Sequence, residues 1–333
     1  MKKINRELLF KRLELVSFGL SAKAIIEQSD CFVFAEGRVA TYDGEVSCSI
    51  ESGVDFEGAV AAEPLLNLLR KMTEEEIEIT VEEEELRVKG KRRRAGIRMQ
   101  QEILLPLDGL EEVGDWKELP SEFDRAIRMV RQSTGKDKSK FLLTCVHIHP
   151  EWIEACDNFQ VCRYPLETGV EQATLIRESS AAHIAGLGMS EFGETENWIH
   201  YRNGSGLVLS CRRYMDEYKD LTAFLEVSGK KVVLPKGLDE AIAKAEIFTD
   251  VKAESLVTVH LSSGKMMLEG RGAAGWYQEQ QKAKFKGDPL RFCIAPELLL
   301  EILRRSTTCE VGDGMLKIVG ENFTFVTCTS VGE

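Results

Sequence analysis

The run Ala295-Pro296-Glu297-Leu298-Leu299-Leu300-Glu301-Ile302-Leu303-Arg304-Arg305 decides the fold, because Ala62-Glu63-Pro64-Leu65-Leu66-Asn67-Leu68-Leu69-Arg70-Lys71 echoes it far upstream. Each places a proline near its start, where the missing N–H is one that a helix leaves unpaired anyway. Each ends on two cations, which complement the dipole of a helix C-terminus. Both read as short amphipathic helices, over 61–71 and 295–305, and 179–187 supplies a third in the middle of the chain.

Working outward from these helices, one pattern returns three times, with a period near one third of the 333 residues. Each third opens with another one-sided helix, over 5–18, 121–132 and 236–245. Apolar residues recur there at helical spacing: Leu9, Leu13 and Val16; Phe123, Ile127 and Val130; Leu238, Ile242 and Ala245. Strand-like hairpins follow, at 31–34 with 39–42, 141–148 with 152–156, and 256–261 with 265–269. After each second helix come more strands: 76–81, 86–89 and 96–99; 197–202 and 206–212; 310–311, 315–319 and 323–328. Turn signals at 312–314 and 320–322 separate the last set. The segments 106–120 and 226–235 read as linkers. The expectation is an α+β chain of three tandem domains, 1–115, 116–227 and 228–333, each made of two half-repeats of helix followed by antiparallel strands.

Composition narrows the function. Asp and Glu number 55 against 43 Lys and Arg, a net charge of −12, with 43% hydrophobic residues. That balance excludes a disordered chain and argues against one that holds nucleic acid by bulk charge, leaving room for a local basic surface. No apolar run approaches the ~18–20 residues that span a bilayer, and Met1 to Arg6 leads into a charged amphipathic stretch, so the expected location is the cytoplasm. The nine cysteines stand singly, without a CxxC pair, and read as reduced, mostly buried thiols.

With three such repeats, the chain resembles the bacterial-type DNA polymerase sliding clamp, the beta subunit of the replicative polymerase. Local matches carry the resemblance alongside the repeats: Glu7 to Lys11 with Val16 to Leu20, Asp157-Asn158-Phe159, and Ala295 to Leu303. Departures at 24–28, at Gln160 in the turn 157–160, and in the tail 327–333 mark it as a divergent member. The resemblance implies a head-to-tail homodimer: six domains in a ring with helices lining the hole, sheets outside, and double-stranded DNA passing through without base readout. It also implies DNA polymerase and clamp-loader peptide motifs as partners, no cofactor, and no catalysis. A closed ring needs only weak phosphate attraction inside, which reconciles DNA with an acidic chain.

For the DNA-facing surface, Arg125, Arg128 and Arg131 recur every third residue, largely off the apolar helix face, and Lys136, Lys138 and Lys140 form a basic loop. Lys23 falls where the family places a DNA-contacting cation. Arg70, Lys71, Arg304 and Arg305 are further candidates, with Lys11, Arg12 and Lys244, although cations at helix ends also simply complement the dipole. For the partner groove, the resemblance points to Val161 and Arg163, to Phe224, Leu225 and Val233, and to Val326 and Cys328. For the dimer seam it points to Ile247 and Phe248 against Arg94 and Ile97, where the run 89–94 is also an edge-protecting cluster. Several of these residues would equally serve as core.

Other chemistries compete. Cys145, His147 and His149 alternate on one strand face, but no fourth metal ligand is evident and Val146 and Ile148 explain the run as an ordinary two-faced strand. Gly135-Lys136 lacks the upstream glycine and following Ser/Thr of a phosphate loop. The acidic runs 74–76 and 82–85 read as solvated turns. No GxSxG, HExxH or Cys/His nucleophile pattern is present. The alternatives to a DNA-encircling clamp are a clamp-fold interaction module that does not encircle DNA, and a nucleic-acid hydrolase assembled without a local motif, for which Asp157 or Asp43 would be tested.

Overall fold

The computed structural model describes residues 2–21, 23, 25–110, 112–249, 255–312 and 314–330. Ala24, Asp313 and tail residues 331–333, singled out above, lie outside them. Among the described residues there are seven α-helices: α1 (Arg6–Val16), α2 (Ala62–Lys71), α3 (Phe123–Val130), α4 (Glu178–Ile184), α5 (Thr222–Leu225), α6 (Leu238–Glu246) and α7 (Pro296–Arg305). The start of α1 is fixed by Asn5, whose side chain accepts the Leu8 N–H at 2.9 Å. Its buried stripe is Leu9, Leu13 and Val16. Pro296 opens α7, Arg304 and Arg305 close it, and Leu299 and Ile302 face inward. Helices pack in pairs, α1 on α2, α3 on α4 and α6 on α7, one pair in each third of the chain.

The chain divides into two compact units, one of residues 1–131, 145–151 and 166–216, the other of 132–144, 152–165 and 217–333. In the first, twelve strands form one sheet in the order Lys2–Asn5, Glu76–Glu82, Glu85–Lys89, Arg94–Gln100, Gly58–Ala61, Cys31–Ala35, Arg38–Tyr42, Val46–Glu51, Val208–Arg212, Trp198–Arg202, Glu191–Glu194, Lys117–Glu118. Cys145–Ile148 pairs separately with Thr174–Arg177. In the second unit, Trp152–Cys156, Gln160–Pro165, Thr324–Cys328, Met315–Val319, Thr308–Gly312 and Lys230–Val233 lie side by side. A separate four-stranded sheet runs Gly275–Lys282, Lys265–Gly272, Val257–Ser262, Leu290–Ile294.

Several expectations are corrected. Residues 141–144 wind as a 3-10 turn, and the strand begins only at Cys145. The supposed linker 226–235 contains the strand Lys230–Val233. The run 89–94 is the turn into Arg94–Gln100, which lies inside its sheet: it pairs along Glu85–Lys89, and on its other side meets Gly58–Ala61 only at Met99 and Gln100. Residues 94–98 therefore have no described partner strand on that side. All nine cysteines are unpaired and eight are buried, with burial pushing the Cys31 and Cys309 thiols up to about 12.

Gly270 shows how closely α6 lies on its sheet: a Cβ there would sit 2.0 Å from the Ala245 carbonyl oxygen and 2.7 Å from its carbon. Since those are backbone atoms, the helix itself would have to move. Gly270→Ala is expected to cost about 1–3 kcal/mol, read as a lower denaturant midpoint with an unchanged m-value.

Candidate partner-binding face and basic surfaces

Strand register decides which side chains meet. In the second unit Cys156, Val161, Val326 and Lys317 stand directly opposite one another across four strands. Opposite residues share a face, so this row defines one side of the sheet. Two residues along each strand lies a parallel row on the same side, Glu154, Arg163, Thr324 and Val319. On the other flank Cys328 faces Met315. The opposite side carries Ala155, Cys162, Phe325 and Ile318, all buried.

Segment 217–227, including α5, covers part of this face. Leu221, Leu225 and Val227 cluster with Cys156, Val161 and Val326, and Leu143, Tyr218 and Met315 pack at the margin. Asp220 starts α5 by accepting the Thr222 N–H at 2.9 Å. The Tyr218 hydroxyl accepts the Cys156 N–H at 3.2 Å and lies 3.3 Å from its Sγ, and burial keeps the phenol protonated by raising its pKa strongly. Of the seven expected groove residues, Val161, Leu225 and Val326 join this cluster, while Cys328 is exposed beside it. Phe224 is 56% exposed on α5. Val233 sits instead opposite Thr308 on Lys230–Val233, outside the cluster. Leu143, Tyr218, Leu221 and Met315 were missed; only the Leu221/Leu225 spacing of four signalled a covering helix.

Arg163 is committed internally. Its Nε donates to Glu154 at 2.7 Å, its guanidinium stacks 4.5 Å from the Trp152 ring centroid, and the two charged side chains are 13% and 2% exposed. It braces the face and offers no free charge to an incoming ligand.

The basic candidates separate by whether a carboxylate already answers them. Arg125 pairs with Glu122 at 3.2 Å, Arg128 with Asp124 at 2.7 Å, and Arg131 with Glu178. Arg70 lies 3.8 Å from Glu14 and stacks over Phe10, and Arg304 pairs with Glu301 at 3.3 Å. Arg305 is corrected outright: its side chain is 5% exposed, bonded to Glu301 at 2.9 Å and to Cys162 Sγ at 3.1 Å, and stacked on Phe325. It is a core brace and faces no ligand. Lys11 pairs with Glu7 and Lys244 with Glu279, whose carboxyl is held down to about 2 by bonds led by Tyr277. Lys23, Lys71, Lys136 and Lys138 are exposed and form no ion pair among the described residues, and Lys140 meets the Asn158 side-chain oxygen at 3.2 Å and lies close enough to Asp137 to help hold its carboxyl down.

At the expected seam, Ile247 is 72% exposed and Phe248 stacks on Tyr277 with ring centroids 6.3 Å apart. Arg94 is exposed at the start of its strand. Ile97 is a correction, because strand alternation turns its side chain into the packed face opposite Leu86. His147 and His149 lie with rings 6.0 Å apart, but His149 Nδ1 accepts the Glu151 N–H at 3.2 Å, and among the described residues no three His, Cys, Asp or Glu converge.

No family model and no curated protein matches the chain. Solved structures do. The chain is similar to a sliding clamp from Bartonella birtlesii bound to griselimycin, at 14% identity and TM-score 0.88 over 99% of both chains. It is similar to the DNA polymerase III subunit beta from Pseudomonas aeruginosa, at 17% identity and TM-score 0.84 over 99% of both chains. The beta subunit from Thermotoga maritima gives 15% and 0.83, again over 99% of both. The fold is thus the α+β sliding-clamp fold, along nearly the whole chain.

Removing Arg163 takes an ion pair from a carboxylate that is 2% exposed. Arg163→Ala is expected to cost about 3 kcal/mol, and the double variant with Glu154→Ala clearly less than the two single losses together, in a double-mutant cycle of denaturant unfolding.

Proposed function

We propose that this protein is a DNA polymerase processivity factor: two copies close head to tail into a ring that encircles duplex DNA and tethers a polymerase through the apolar face of the second unit. The observation that carries the reading is the clamp fold matched over 99% of the chain. The three helix pairs support a division into domains 1–115, 116–227 and 228–333, six per ring. The protein works in the cytoplasm as a non-catalytic accessory subunit and takes peptide motifs of its polymerase and loader on the face around Val161 and Val326.

Two features support the ring seam. Residues 94–98 have an open backbone side and bear Arg94 and Arg98, and Gly275–Lys282 is an eight-residue edge strand. Unpaired edges recruit strands. DNA attraction comes from cations that form no ion pair among the described residues, Lys23 and Lys71, more than from the paired arginines.

The test is topological. Protein incubated with nicked circular plasmid, long enough for the ring to open and reclose, should co-elute with the plasmid and be released when it is linearised; equal retention on both forms would refute encirclement. Within that assay, Lys23→Glu with Lys71→Glu is expected to lower the slope of log affinity against log salt by about 2, at ~0.9 per phosphate contact. Arg125→Gln with Arg131→Gln should change it less, because those charges are already met by Glu122 and Glu178.

A further inference from the structure

One end of the apolar face carries lysines that form no ion pair among the described residues. The turn joining Trp152–Cys156 to Gln160–Pro165 closes this end. Asp157 spends its carboxylate on the turn, accepting from the N–H groups of Phe159 (2.7 Å) and Gln160 (2.8 Å) and from Gln160 Nε2 (3.1 Å). The Phe159 carbonyl accepts the Cys328 N–H at 2.7 Å, so the 51% exposed Phe159 ring and the exposed Cys328 belong to the same end of the face.

The lysine loop is fastened here. Leu143 packs on the apolar cluster, its carbonyl accepts the Gly135 N–H at 2.6 Å, and its own N–H donates to the Lys140 carbonyl at 3.0 Å. A Cβ on Gly135 would come within 3.2 Å of Leu143 Cβ and 3.6 Å of Asp157 Cβ, so the base of the loop lies directly against the turn. Lys140 Nζ reaches the Asn158 side-chain oxygen at 3.2 Å. The one carboxylate in the loop, Asp137, is taken by the N–H (3.0 Å) and hydroxyl (2.7 Å) of Ser139, which hold its pKa down. Lys136 and Lys138 are exposed and form no ion pair among the described residues. The covering segment is of the other sign, with exposed Glu217, Asp220 and Glu226 around Lys219. Of the other cations of the face, Lys317 and Arg163, Arg163 is consumed by Glu154.

We propose that the partner peptide of this face carries carboxylates beside its apolar anchor, and that Lys136, Lys138 and Lys140 receive them. The inference rests on the reading of the face as a peptide groove and adds the chemistry of its occupant. The exposed Phe159 and Phe224 and the marginal Met315 take the apolar anchor, above the buried Val161 and Val326, and the lysines fix which end of the peptide lies at the 157–160 turn. On a chain of net charge −12, an acidic peptide is repelled elsewhere, so these lysines also confine where it docks. The loop's attachment to the groove through Leu143 and Asn158 favours a peptide over DNA phosphate as its ligand.

The test compares two fluorescein-labelled peptides, Asp-Glu-Leu-Leu-Phe-Asp-Glu and Ser-Gln-Leu-Leu-Phe-Ser-Gln, titrated against the full-length protein by anisotropy. The acidic peptide should bind about ten-fold more tightly at low salt, the gain fading as salt rises. Lys136→Ser with Lys138→Ser should remove most of that preference and leave the neutral peptide unaffected, while Phe224→Ser weakens both. Equal binding of the two peptides to the unaltered protein would overturn this inference and leave the groove standing. Binding of neither would overturn both. Unchanged preference in the lysine variant, with plasmid retention lost, would assign the loop to DNA and overturn the inference.

Discussion

The register that sets Val161 opposite Val326 is the constraint on which the candidate site depends. It joins strands that lie far apart in sequence and leaves each with two different faces. On one side Ala155, Cys162, Phe325 and Ile318 are buried, with the guanidinium of α7's Arg305 on the Phe325 ring. On the other, Cys156, Val161 and Val326 are buried in a cluster with Leu221, Leu225 and Val227 of segment 217–227, with Met315 at its margin. A slip of one residue would exchange the two faces, sending Arg163 and Glu154 into the core and Phe325 to the surface. The burial of the inner face therefore determines the outer one.

Much of the architecture was legible because its signals are periodic. Apolar spacing located α1, α2, α3, α4, α6 and α7 to within a few residues, and the echo between 62–71 and 296–305 is matched by two helices that each pack on another. What escaped lacks a period. Gly275–Lys282 has polar residues on both faces and is held by backbone pairing to Lys265–Gly272, so no hydrophobic alternation announces it. Residues 141–144 read as a strand from their apolar content, yet Leu143 serves the cluster over the partner face.

Charge was the least legible property. Arg304 and Arg305 are neighbours of one type, but helix phase leaves one side chain 75% exposed and the other 5%. The pairing of Arg125 and Arg128 with carboxylates three and four residues earlier is visible in sequence. The pairing of Arg131 with Glu178 requires the contact of α3 with α4. Sequence counts cations; only packing shows which are already spent.

The proposed ring stands or falls on assembly, because two copies of the chain are needed to close it. Light scattering across a dilution series measures this directly. The account predicts a stable species of twice 37.4 kDa; a chain that remains at 37.4 kDa at every concentration, or assembles as a trimer, would contradict it.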